Sequence, residues 1–200
     1  MLSILIPFFV IFSWAQFVPT SFTTNFEESF ISVTTGREKK SFGKIDYRSS
    51  GFFRYEKISP DQSLFVTNGD KSWYYVPPFI SGEQGQVTIQ KAKSLPLLKF
   101  FEMMKSGIKA TALYQVNFQK DAAELLFNQS FQKEYGLKKV KLFSSDPKKL
   151  VKLKEAQKLQ LDYLDGREVQ IKFTDFKEGV SFSSGTFDFK IPANTKVTGN

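Results

Sequence analysis

The side chains best equipped for chemistry in this chain are aromatic, aliphatic and cationic, and none is a ready nucleophile. Among its 200 residues there is no cysteine and no histidine. That removes the thiol nucleophile, the thiolate metal site, the disulfide, the lipid-acceptor cysteine and the usual general base. No paired-carboxylate motif stands out, so the sequence reads as a non-enzyme with no cofactor and no metal site. Binding chemistry remains. Tyr47, Phe53, Tyr55, Trp73 and Tyr75 present large flat rings at alternating positions, and Leu98, Phe101 and Met104 recur at helical spacing. Flat rings and flexible methionines suit varied apolar ligands, while a plain packed core is the alternative use of the same residues.

The elements that must position the rings lie between Gly43 and Ile89. Ile45 and Tyr47 alternate up to Ser49-Ser50-Gly51, and Phe53 and Tyr55 alternate up to Ser59-Pro60-Asp61. Leu64 and Val66 follow before Asn68-Gly69-Asp70, whose Asn and Gly accept positive φ at low cost. Trp73 and Tyr75 then run to Pro77-Pro78, and Val87 and Ile89 resume after a Gly-rich loop. Period-two apolar spacing between turn residues predicts an antiparallel meander with one buried face. Inward rings of this size predict a wide, curved sheet rather than a thin sandwich.

Composition sets the same limits. The chain has 23 Phe, 16% aromatic residues and a mean hydropathy of -0.26, which in a soluble chain means a thick core or a greasy cavity. The formal charge is +8, and much of it lies in Lys138, Lys139, Lys141, Lys148, Lys149, Lys152, Lys154 and Lys158. This belt is either a solvated surface or a region attractive to anionic lipid headgroups or an acidic partner. Nucleic acid is not an expected partner, because no binding motif is present and the aromatics sit away from the lysines. Met1 to Ala15 is apolar, too short to span a bilayer comfortably, and ends Ser13-Trp14-Ala15. We read it as a signal peptide cut after Ala15, with a short membrane anchor as the rival, leaving residues 16–200 as one domain.

Taken in order, the meander resembles the outer-membrane lipoprotein carrier proteins of Gram-negative bacteria, the LolA family. The resemblance is carried by Phe53-Arg54-Tyr55-Glu56, Pro60-Asp61, Leu64-Phe65-Val66, Asn68-Gly69-Asp70-Lys71, Trp73-Tyr74-Tyr75, Pro77 and Gln86-Val87-Thr88. Ser21-Phe22 through Glu28 resembles the family's first long strand, with Glu27 or Glu28 where Gln is usual. Phe187-Asp188-Phe189-Lys190-Ile191-Pro192-Ala193-Asn194 through Val197 resembles its last strand and tail, Asn194 replacing a Gly. The resemblance implies a mainly β (α+β) fold, an incomplete antiparallel β-barrel or curved sheet with short helices as a lid over an apolar cavity. It implies a monomeric periplasmic carrier of acylated lipoproteins. The carrier would load from an inner-membrane lipoprotein-releasing ABC complex and unload to an outer-membrane lipoprotein receptor. An envelope scaffold on the same fold, binding protein or glycan, is the alternative.

The resemblance also assigns roles. It implies that Phe53 lines the cavity mouth and that Arg48 contacts the lid, a solvent-facing arginine being the alternative. The family's lid helix before the first strand has no room in Gln16 to Thr20, so either the lid is smaller here or the uncleaved apolar segment supplies it. Leu95 to Gly107 reads as a short helix with Pro in its first turn and Gly past its end, and the resemblance makes it a lid, with plain core as the alternative. Asp121 to Glu134 is expected to be helical, and Leu159 to Phe173 to form a hairpin.

Overall fold

The computed structural model describes residues 16–91 and 95–199; Met1 to Ala15, read above as a signal peptide, lies outside the described residues. The fold is mainly β. Among the described residues, twelve strands form one curved sheet that does not close, in the order β12-β6-β5-β4-β3-β2-β1-β11-β10-β9-β8-β7.

The meander follows the turns seen in the sequence. β1 (Ser21–Ile31), β2 (Glu38–Arg48), β3 (Phe52–Ser59), β4 (Ser63–Asn68), β5 (Lys71–Val76) and β6 (Gly85–Lys91) are successive antiparallel neighbours. On the other side of β1 the sheet continues through β11 (Glu168–Glu178), β10 (Lys158–Tyr163), β9 (Leu137–Phe143), β8 (Ala122–Phe127) and β7 (Tyr114–Phe118). β10 and β11 form the expected hairpin. A short β12 (Thr195–Thr198) adds to β6 in parallel. Antiparallel order divides the turns between two rims. Those at 32–37, 60–62, 77–84 and 164–167 share one, the lower rim; those at 49–51, 69–70 and 119–121 share the other, the upper rim.

Each strand's alternation sends one set of side chains into the concave trough. Phe22, Phe26, Ile45, Tyr47, Phe53, Leu125, Leu142, Leu159 and Ile171 are buried there as part of one core. β2 bends at Gly43, where a β-bulge shifts its register with β3. A Cβ at Gly43 would stand 2.0 Å from the Glu56 carbonyl oxygen and 2.6 Å from the Phe26 ring, so only glycine fits this approach.

Two helical segments cover the trough. α1 (Pro96–Met103) runs into a 3-10 turn at Met104–Ser106 that stops at Gly107, whose φ of 95° lies in the left-handed half of the backbone map. α2 (Gln129–Tyr135) is capped by Asn128, whose side chain accepts from the Phe131 N–H at 2.9 Å, and ends at left-handed Gly136.

Three sequence expectations change. Residues 122–127 are strand rather than the start of a helix, because both neighbours of β8 offer backbone partners and Ala123, Leu125 and Phe127 alternate into the core; pairing overrides helix propensity. The Lys-rich run after β9, whose spaced Leu150, Leu153, Leu159 and Leu161 suggest strand at both ends or a helix over Lys152 to Lys158, folds as two 3-10 turns, Pro147–Lys149 and Leu153–Glu155, before β10. Phe187 to Asn194 is not a strand. Phe187 and Phe189 instead pack on the convex face of the sheet, and the chain turns at Asn194 (φ 56°) before β12. Asn194 thus adopts the left-handed geometry that its replacement of Gly implied.

Candidate functional site

The trough beneath α1 is where the chain concentrates its rings. Leu97, Leu98, Phe100 and Phe101 of α1 and the adjoining Met104 are all buried against the sheet. Phe101 points into the centre. Its ring lies 5.2 Å edge-on from Phe22, 5.6 Å from Tyr47, 6.1 Å from Phe53 and 6.3 Å from Phe173. Edge and offset contacts at these separations are favourable aromatic geometry. The rings therefore interlock around Phe101. A cavity of about 150 Å³ lies where Leu95, Pro96 and Leu97 meet Tyr55, Tyr163 and Ile171. That is about half the lower limit for ligand pockets, which run from ~300 Å³ upward.

Polar groups fasten the helix and line the cavity. The Tyr47 hydroxyl donates to Glu102 Oε1 at 2.8 Å, and the other oxygen of Glu102 accepts from Lys105. Burial, then the Glu102 carboxylate, pushes the Tyr47 phenol far above its ordinary pKa. The second group is Glu28, on the same face of β1 as Phe22 and Phe26. It accepts from the Tyr55 hydroxyl and from Lys57 Nζ, each at 2.5 Å, and from the Ser41 hydroxyl at 3.4 Å. Burial, then the charge of Glu28, holds the Tyr55 phenol well above its usual range. A buried carboxylate needs such donors. A signal was present in the sequence: Glu28 falls two residues after Phe26, on the buried phase of β1.

The structure brings together Tyr47, Phe53, Leu98, Phe101 and Met104 as neighbours in the trough, with Tyr55 packed at its margin. It does not bring Trp73 and Tyr75 there. Register pairs Tyr47 with Phe53, Phe53 with Thr67 and Thr67 with Ser72, so Ser72 and Tyr74 share the concave phase and their neighbours Trp73 and Tyr75 face outward. The period of two was right and its phase in β5 was reversed. Trp73 and Tyr75 join Phe52, Leu64, Val66, Phe182, Phe187 and Phe189 in a second apolar cluster on the convex face.

Arg48 does not reach the helix either. It follows concave Tyr47 and so projects from the convex face, where its guanidinium stacks 3.7 Å from the Phe52 ring centroid and 5.3 Å from that of Phe187. Tyr47 makes the sheet-to-helix contact expected of Arg48.

Residues 16–20 form no helix. Phe17 and Val18 are buried beside the trough, where the Phe17 N–H donates to the Lys105 carbonyl and its own carbonyl accepts from the Leu153 N–H. The lysine belt is partly tied up: Lys139 pairs with Glu124 and Asp162, Lys149 with Asp146 and Lys154 with Glu178, while Lys158 lies over the Phe143 ring.

Known proteins match this chain along most of its length. It is 26% identical over 186 residues to an outer-membrane lipoprotein carrier protein of Francisella tularensis subsp. tularensis, covering 88% of this chain and 80% of that protein. A 69-residue stretch, 34% of this chain and 31% of its relative, is 30% identical to an outer-membrane lipoprotein carrier protein of Pseudomonas aeruginosa. Among solved structures, a LolA superfamily protein from Nitrosomonas europaea aligns with a TM-score of 0.48 and 11% identity, over 88% of this chain and 93% of that one. No protein-family model matches the chain. Along most of its length the chain is thus similar to outer-membrane lipoprotein carrier proteins.

Proposed function

We propose that this protein is a carrier, not a catalyst, that shelters the acyl chains of lipoproteins in the trough beneath α1. It would carry them through the periplasm from an inner-membrane releasing ABC complex to an outer-membrane receptor, acting as a monomer. Met1 to Ala15 would direct export, and residues 16–200 would form the single carrier domain. The names of the sequence relatives support the cargo.

The observation that carries the reading is the nature of what fills the trough: one short helix with four buried apolar side chains, Leu97, Leu98, Phe100 and Phe101. At about 1.5–3 kcal/mol each, their burial amounts to about 6–12 kcal/mol. A 16-carbon acyl chain at ~0.8 kcal/mol per buried CH₂ is worth about 12 kcal/mol. Exchange of helix for acyl chain is therefore close to balanced, whereas release of the chain into water is not. A carrier needs this balance, because cargo held far more tightly than a membrane holds it would never be handed on. In this reading Tyr47, Phe53, Tyr55, Leu98, Phe101 and Met104 contact the acyl chains, and the Tyr47–Glu102 bond holds the helix down between loads.

A second reading is favoured by the interlocked rings around Phe101: a packed envelope scaffold on the same fold that binds protein or glycan. Titrating the mature protein with a fluorescent fatty-acyl probe separates the two. The carrier reading expects a saturable signal that a synthetic triacylated lipopeptide displaces and that Phe53→Glu abolishes. A scaffold gives no saturable signal.

A further inference from the structure

The two rims of the sheet differ in a way that the trough does not explain. Three upper-rim turns are polar, Ser49-Ser50-Gly51, Asn68-Gly69-Asp70 and Gln119-Lys120-Asp121, while Phe118 flanks the last of them and Val151 stands exposed in the longer 144–157 connection. At the lower rim, each of four turns carries an exposed apolar side chain at its tip or flank. Val33 is 84% exposed between β1 and β2, and Phe79 is 91% exposed between β5 and β6 beside Ile80. Ile58 and Leu164 stand exposed at the turns after β3 and β10. Isolated exposed apolar residues are ordinary, but their collection at one end of a curved sheet is not.

Lysines and cavities also occur at this end, while the 144–157 connection carries Lys148, Lys149, Lys152 and Lys154 at the upper rim. A surface pocket of about 370 Å³ between the 32–37 and 60–62 turns is lined by Lys39, Lys40 and Lys57, with Phe30, Ser41, Pro60 and Asp61. Lys40 also pairs with Glu27 and Lys57 with Glu28, and Asp61 is the one carboxylate among the residues lining the pocket. The small cavity under α1 reaches Glu28, Lys57, Tyr163 and Val169, which lie toward the lower-rim ends of their strands.

We propose that the lower rim is a membrane-contacting edge: Val33, Ile58, Phe79, Ile80 and Leu164 enter the interface of a lipid bilayer while Lys39 and its neighbours meet anionic headgroups. Apolar tips beside cations suit a bilayer, which offers apolar depth and negative surface charge over the same few ångströms. The chain's net charge of +8 draws the molecule as a whole toward an anionic surface. Contact at this rim would bring the small cavity under α1 toward the lipids, beyond any docking to protein partners.

The test is sedimentation of the mature protein with vesicles of phosphatidylethanolamine and phosphatidylglycerol, compared with neutral phosphatidylcholine vesicles. The parent should favour the anionic vesicles. Phe79→Ser with Ile80→Ser should bind about tenfold more weakly, Lys39→Glu about fivefold or more, and Val151→Ser near the upper rim should match the parent. The substituted tips are exposed, so circular dichroism should not change. Absence of sedimentation with anionic vesicles, or equal sedimentation of parent and tip variant, overturns the proposal, and a protein partner then becomes the rim's occupant. The fatty-acyl probe, titrated without vesicles, keeps the two ideas apart. Probe binding without vesicle binding removes the rim and leaves the carrier, and the reverse result removes the carrier and leaves the rim.

Discussion

The hydroxyl of Tyr47 on β2 donates to the carboxylate of Glu102 on α1 at 2.8 Å, joining the floor of the trough to the helix that fills it. The side-chain contacts of α1 with the trough are otherwise mainly apolar and non-directional, so this bond helps aim the helix. Tyr47→Phe keeps the ring and removes the bond. We expect a loss of about 1–2 kcal/mol in urea denaturation together with faster acyl-probe uptake, by roughly tenfold for each 1.4 kcal/mol withdrawn from the closed form. Stopped-flow fluorescence reads the second effect. Unchanged uptake in a folded variant would show that the bond does not gate the helix.

Phe101 is the side chain that occupies the centre of the trough. Phe101→Ala should destabilise the protein by about 3–5 kcal/mol, the usual range for emptying a buried aromatic site. It should also leave room that an acyl chain can take. Adding the triacylated lipopeptide should therefore raise the melting temperature of the variant more than that of the parent, as differential scanning fluorimetry would show.

The buried phenols give the protein an alkaline limit. Tyr47, Tyr55 and Tyr163 are pushed above their ordinary pKa by burial first, and Tyr135 is pushed up to about 12 for the same reason. A group whose folded pKa is raised binds its proton more tightly in the native state. The associated stability is full below the unfolded value near pH ~10 and is lost as pH rises through the folded values. Urea denaturation should show a plateau below about pH 9.5 and a fall above pH ~10, of at most about 1.4 kcal/mol per pH unit for each such tyrosine. Tyr47→Phe should flatten that fall and leave the plateau's pH range unchanged.

At Gly43 the backbone of β2 passes too close to Glu56 and Phe26 for any side chain. Gly43→Ala should cost about 1–3 kcal/mol by overpacking. It should also shift Phe26 and, through the 4.6 Å stack of Phe26 on Tyr55, loosen the Tyr55–Glu28 bond. Chemical denaturation measures the first effect and hydrogen exchange at β3 the second.

Much of the fold was legible because its turns announce themselves. Asn68-Gly69 and Ser49-Ser50-Gly51 bound strands whose apolar period of two needs no tertiary knowledge. Phase was harder to read. In β5, Trp73-Tyr74-Tyr75 offers rings on both faces, and only the pairing of Thr67 with Ser72 decides which face is concave. Arg48 took its lid role from the family resemblance, which does not say from which face of β2 the residue projects. The stretch from Ala122 to Tyr135 could not be divided from sequence alone, because a six-residue apolar run serves a buried strand or a helix equally. The outward cluster of Phe182, Phe187 and Phe189 was invisible for another reason: it exists only because the tail folds back over the convex face.

The claim beneath the carrier reading is that α1 withdraws from the trough to admit acyl chains. Because the chain lacks cysteine, spin labels placed by Ser106→Cys and Lys44→Cys would report the helix-to-sheet distance without background labelling. Pulsed electron paramagnetic resonance would be recorded without and with saturating triacylated lipopeptide. The account predicts a single short distance in the free protein and a longer, broader distribution in the loaded one; an unchanged distance with lipopeptide demonstrably bound would contradict it.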